Sequence, residues 1–219
     1  MSKRSLIVYE SRTGNTEKIA FTFKGVFERA GWKCDMFKVD KNTDVYNPPF
    51  DYGEYDFICV GSLVMDSQPS PVIMDIMRKN PLSGHYVENP TPGGGGYKKV
   101  VPGPKKGVVF VTYGGAHMGP KEAIPALYSL ALEMEHLKFI CIGKFACPGK
   151  MSNNPNPDFY YKDLHLRPNE RDFKKAEIFM GEKLEEISRR EVNHDRKRVC
   201  RRDHGCRSFY SEKQYVVYG

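Results

Sequence analysis

Residues Ser11-Arg12-Thr13-Gly14-Asn15-Thr16 place three hydroxyls, a guanidinium, a carboxamide and a glycine in six consecutive positions. Hydroxyls and exposed backbone N–H groups all donate hydrogen bonds, so this composition suits an oxyanion such as a phosphate. Gly14 lets the backbone curl tightly, and Arg12 could add a charge-assisted bond. A helix cap alone would account for one of these hydroxyls, not for the whole run. The patterns GxxxxGK[ST] and GxGxxG are both absent, so the loop is neither of those two phosphate cradles.

Such a loop works only if neighbouring elements aim its donors. Leu6, Ile7, Val8 and Tyr9 precede it as a short run of β-formers, the mark of a buried strand. Glu17 to Ala30 follows as a helix with Ile19, Ala20, Phe23, Val26, Phe27 and Ala30 on one face, ended by Gly31. The helix presents its positive end to the loop. Further strands are expected at 33–39, 56–61, 108–113 and 139–145. Helices are expected from the Ser70-Pro71 opening through Met77, from Gly119-Pro120 through Met134, and from Asn169 to about residue 190. Pro125 is expected to disturb the early turns of the third helix. Strands alternating with helices lead to a parallel sheet covered on both faces.

Two other stretches have binding-site composition: Ser62–Gln68 after the third strand and Tyr113–Met118 after the fourth. In a doubly wound sheet they would meet the first loop at the carboxyl ends of the strands. SRTGNT resembles the FMN-phosphate loop of the flavodoxins. Gly61–Pro69 and Thr112–Gly119 resemble the segments that flank the two sides of the flavin ring in that family. Gly143–Lys150 and Arg167–Asp172 are similar to segments of an anaerobe-rich branch of flavodoxin-like proteins. The resemblance runs in order from residue 6 to about 188. It implies an α/β fold, a flavodoxin-like doubly wound five-stranded parallel sheet of order 2-1-3-4-5. It also implies FMN as cofactor, with Ser11, Arg12, Thr13, Gly14, Asn15 and Thr16 on its phosphate. Ser62, Leu63, Val64 and Met65 would lie along the ring, as would Tyr113, Gly114, Gly115 and His117. Glycines at 114 and 115 would let backbone amides approach the flavin closely.

Tyr113 could stack on the ring or cap the core, and His117 could donate to the flavin, move a proton or simply be solvated. Cys147 could approach from the fifth loop, although nothing nearby lowers its pKa. No other catalytic side chain is expected, because the redox centre would be the flavin. Cys200, His204 and Cys206 lack the paired C-x2-C spacing of zinc sites, so no metal is expected.

The 219 residues are 40% hydrophobic, with 13 Phe and 13 Tyr, enough for one generous core. Residues 1–190 read as the domain and 191–219 as a basic, aromatic-bearing extension. Residues 80–106, rich in glycine, proline and lysine, read as an insertion before the fourth strand. The net charge of +7 is concentrated in these two appendages. No binding motif accompanies the basic tail, which argues against nucleic acid. The tail is expected to pack on its own domain or on a second copy, or to face an acidic redox partner. No apolar run approaches the roughly 20 residues of a membrane span, and residues 1–15 hold no signal-peptide core. Cys34, Cys59 and Cys141 fall in expected strands as small apolar fillers, and reduced cysteines fit the cytoplasm.

The leading expectation is an FMN-containing electron carrier working between redox proteins. The alternative is an FMN-dependent NAD(P)H:quinone-type oxidoreductase, an assembly in which Tyr113 and His117 would border a substrate pocket. A degenerate flavin module would interact through its tail alone. A phosphoacceptor receiver needs an acidic cluster at the first strand's end, and Glu10 alone does not supply it.

Overall fold

The strand Arg4–Tyr9 (β1) lies at the centre of the sheet because Leu6, Ile7 and Val8 are each wholly buried. A computed structural model of the chain describes residues 2–83, 103–115, 117–151, 160–200 and 216–218. After β1 come helix α1 (Asn15–Arg29), β2 (Lys33–Lys38), β3 (Phe57–Met65), the two-residue β4 (Gln68–Pro69) and α2 (Pro71–Arg78). The chain continues through β5 (Lys106–Tyr113), α3 (Ile124–His136), β6 (Ile140–Pro148), α4 (Glu170–Cys200) and β7 (Val216–Tyr218). The seven-stranded sheet runs β2-β1-β3-β5-β6-β7, with β4 paired to β3 alone. The β1–β2, β1–β3, β3–β5, β5–β6 and β6–β7 pairs are parallel.

Period-two alternation in the central strands sends residues to opposite faces, and each face has its own core. Leu6, Val8, Ile58, Val60, Val109 and Val111 join residues of α2 and α3. Ile7, Cys59, Phe110 and Phe145 join residues of α1 and α4. Phe23 of α1 holds the second core together. Its ring lies 5.1 Å from Phe110, 5.8 Å from Phe145 and 5.9 Å from Phe179 of α4. Burying such a ring stabilises by roughly 1.5–3 kcal/mol. Edge strand β2 is less apolar, with Lys33 and Lys38 exposed at its ends, which discourages further pairing.

The doubly wound order expected for the first five parallel strands is present, and details within it differ. Residues 62–65 are strand rather than loop: Ser62 and Leu63 remain in register with Val111 and Thr112 of β5. Val64 and Met65 then fold back on Gln68 and Pro69 through a tight turn. Helix α1 starts at Asn15, two residues earlier than its apolar pattern indicates, because the loop itself supplies the first turn. The helix expected from Gly119 opens as a 3-10 turn, Gly119–Ala123, and becomes α-helical only at Ile124, so the irregularity expected at Pro125 is present in its early turns. Helix α4 continues to Cys200, since residues 189–200 contain neither glycine nor proline to stop it. Beyond it, Val216–Tyr218 pairs with Lys144–Ala146 and adds a sixth parallel strand at the β6 edge. Three residues are too few for a periodic signal. Among the insertion's residues, 84–102 lie outside the described ones, as do His204 and Cys206. No helix of the described residues is long and apolar enough to cross a membrane.

Candidate functional site

The strand order reverses at β1, which has β2 on one side and β3 on the other. A crevice opens at such a point beyond the carboxyl ends of the strands. Tyr9 is in register with Gly61, and Leu63 with Thr112. The hydroxyl loop, the β3–β4 hairpin and the glycine loop after β5 therefore leave the sheet side by side.

In the hydroxyl loop, Gly14 has φ of 83° and caps α1 in the left-handed region, where a Cβ is disfavoured. Among the described residues, the backbone N–H groups of Arg12, Thr13, Gly14, Asn15 and Thr16 meet no acceptor. They stand at the positive end of a 15-residue helix. Donors left open at a helix start are what an anion requires. Several of the loop's side chains, by contrast, are spent on the scaffold. The Ser11 hydroxyl accepts from the Glu17 N–H at 3.2 Å. The Thr16 hydroxyl shares a buried hydrogen bond with Thr112 at 2.8 Å. The Asn15 carboxamide donates to the Lys150 carbonyl at 2.8 Å. Thr13 and Arg12 remain exposed.

Arg12 has a partner the sequence did not reveal. Its Nε donates to Glu10 at 3.0 Å, and the Glu10 side chain is only 5% exposed. A buried carboxylate beside an anion loop would repel its ligand, and Arg12 offsets that charge. The same carboxylate accepts from the Ser70 hydroxyl, while the Ser70 N–H donates to Ser62 Oγ at 2.8 Å. Ser62 in turn donates to the Leu63 carbonyl at 2.8 Å. This chain of bonds fastens the hydroxyl loop to the hairpin and to the start of α2. Ser62 is therefore wholly buried and engaged, whereas Leu63 and Val64 are half-buried and Met65 is exposed along the hairpin.

The glycine loop is shaped by the segment that follows β6. Tyr113 is buried, and its hydroxyl lies 2.8 Å from that of Tyr161. Its ring packs with the core on the α2 and α3 side of the sheet. A Cβ on Gly114 would stand 2.6 Å from the Met151 sulfur, and one on Gly115 2.8 Å from the Tyr161 ring. These glycines therefore admit neighbouring side chains, whatever else approaches the loop. His117 is exposed. Its N–H and that of Met118 both donate to Glu122 Oε1, at 2.8 and 2.7 Å. Cys147 belongs to β6, not to a loop, and burial pushes its thiol far above the usual range. It has no access to the crevice chemistry of a thiolate.

Beside the hydroxyl loop lies a cleft of about 540 Å³ between the start of α1 and the β6–α4 connection. Lys18, Lys150, His165 and Arg167 contribute to its lining, with Thr13 and Asn15. Arg167 is held by fully buried Asp172, through Nη2 and Oδ1, and by Asp163 at 3.3 Å. The sequence reading grouped Lys150 and Arg167 by resemblance only; that they face one cleft follows from the crossover of α4 next to α1. Tyr160, Tyr161 and Met151 carried no periodic or motif signal. Among the described residues, no group of acidic, histidine and cysteine side chains could hold a metal.

No family model matches the chain, nor does any curated protein. Solved structures do. A flavodoxin from the domain Archaea aligns at 15% identity and a TM-score of 0.51, covering 84% of this chain and 99% of that one. Oxidised Flavodoxin 2 from Bacillus cereus aligns at 19% identity and a TM-score of 0.54, covering 82% and 99%. Rubredoxin oxygen:oxidoreductase from Desulfovibrio gigas aligns at 16% identity and 0.51, covering 81% of this chain but 34% of its own. Sheet order and these alignments agree: the chain has the flavodoxin-like fold.

Proposed function

We propose that this chain is an FMN-binding redox protein that carries electrons between partner proteins. The observation that carries the reading is the row of open N–H groups from Arg12 to Thr16 at the start of α1. They form a preformed acceptor site for a phosphate, at the end of the fold where a doubly wound sheet binds ligands. FMN supplies its own one- and two-electron redox chemistry when bound.

The residues of this chain bind and orient it. Backbone donors of the hydroxyl loop would hold the phosphate with the exposed Thr13 hydroxyl beside them, while the side chains of Ser11, Asn15 and Thr16 brace the loop. Arg12 keeps Glu10 from opposing that charge. Leu63, Val64 and Met65 offer an apolar side to the ring and shed water from it. Tyr113, Gly114 and Gly115 shape the facing loop, and His117, exposed on that loop, would pass a proton from solvent to a reduced ring. Ser62 supports the site through Ser70 rather than by contact.

Titrating the purified chain with FMN tests the reading. Stoichiometric uptake with a yellow chromophore is the expected result; a colourless protein under excess FMN would overturn it. Stepwise photoreduction then separates carrier from enzyme, since a carrier takes its electrons singly. An NAD(P)H:quinone-type oxidoreductase is the second reading, and the cationic cleft beside the loop favours it. Rapid bleaching by NADH or NADPH alone would select it. Light scattering of the full chain tests self-association through the C-terminal region.

A further inference from the structure

We infer that the cleft between the start of α1 and the β6–α4 connection is a second phosphate site. It would take a phosphoryl or pyrophosphoryl group of a small molecule other than the one held by the hydroxyl loop. The inference goes beyond the FMN reading, because its donors are side-chain cations whereas those of the loop are backbone amides.

Charge carries the argument. Lys18, Lys150 and His165 line one space of about 540 Å³ with Arg167, and no carboxylate among the described residues lines it. Arg167 is neutralised from behind by Asp172 and Asp163, so it braces the wall without adding net charge. The ammonium groups of Lys18 and Lys150 have no anionic partner among the described residues. Lys38, by contrast, is paired with Glu17 at 3.2 Å. Two uncompensated ammonium groups around one concave space repel each other, and a multiply charged oxyanion relieves that repulsion.

The walls are also built to stay in place. The Asn15 carboxamide spans them to reach the Lys150 carbonyl, and the Lys150 N–H donates to the Arg167 carbonyl at 2.8 Å. Contact there is so close that a Cβ on Gly149 would stand 2.6 Å from Asn15 Nδ2. Lys150 thus leaves from a fixed root at the end of β6, and Lys18 from the first turns of α1. A compact, fully charged group matches point-charge donors of this kind better than an extended apolar ligand does.

The test is calorimetric titration of the FMN-loaded full chain with pyrophosphate at low ionic strength. Saturable one-to-one binding is expected, weakened at least tenfold by Lys150→Ala and by Lys18→Ala and abolished by Lys150→Glu, with FMN affinity changed less than twofold. Parallel titrations with orthophosphate, NAD+ and NADP+ identify the source: tighter binding of the dinucleotides marks a nucleotide-borne group. No binding, equal binding by the variants, or one-for-one displacement of FMN by pyrophosphate would each overturn the inference. Failure of the chain to bind FMN at all would sink the redox reading only. The same titrations on the unloaded chain would then read the dependence on Lys18 and Lys150.

Discussion

The Ser70 hydroxyl donates to the carboxylate of Glu10, joining the end of β1 to the start of α2 across a fully buried contact. Two loops of the crevice are set by this one pair, because Glu10 also holds Arg12 and Ser70 also holds Ser62.

Ser70→Ala leaves a buried carboxylate short of a donor. A loss of about 1.5–3 kcal/mol is expected, or roughly 3–10 °C in melting temperature for a domain of this size. FMN affinity should fall with it, since Arg12 follows Glu10. Thermal melts with FMN titration check both. Unchanged stability would show that the pair contributes nothing.

Gly14→Ala isolates backbone conformation from packing. A Cβ there meets nothing within 4 Å, yet φ is +83°. A stability loss of about 1–2 kcal/mol is expected from the left-handed strain alone, together with a weaker phosphate site. Urea denaturation measures the first and FMN titration the second.

At Gly61 the reverse holds. A Cβ would fall 2.2 Å from Phe110 Cζ, well inside contact distance. Gly61→Ala should cost about 1–3 kcal/mol or more, and Phe110→Leu in the same chain should recover part of it. A double-mutant cycle with no coupling would contradict this packing.

Burial raises the Cys34 thiol to about 11, and raises Cys59 and Cys141 as well. The folded state favours the neutral thiol, so their contribution is complete below the ordinary thiol value near pH 9. For Cys34 it is lost as pH rises from there toward 11. Urea midpoints at pH 8 and pH 10.5 should differ in that direction, and Cys34→Ala should reduce the difference. A disulfide reagent at pH 8 should modify these three positions only after unfolding.

The turn between β3 and β4 places Asp66 at φ 47° and Ser67 at φ 63°. Both central residues of this hairpin are left-handed, a conformation that favours Asn-Gly. Asp66→Asn with Ser67→Gly should stabilise by roughly 0.5–1 kcal/mol. A rise in the denaturation midpoint is the expected reading.

The order of strands and helices, both apolar faces and a tight hydroxyl-rich loop before α1 were legible from local sequence. Period-two and three-to-four patterns report which side of an element is buried, and a hydroxyl-glycine run reports open donors. Those signals act over a few residues. Only tertiary structure decided that Glu10 answers Ser70, that Asn15 answers Lys150, and that Tyr113 turns inward to Tyr161. It also decided that Gly114 and Gly115 make room for Met151 and Tyr161, and that residues 216–218 complete the sheet. Pairings across 48 to 135 positions depend on how strands stack and where helices cross. No periodicity in the chain encodes which side chains that stacking brings face to face.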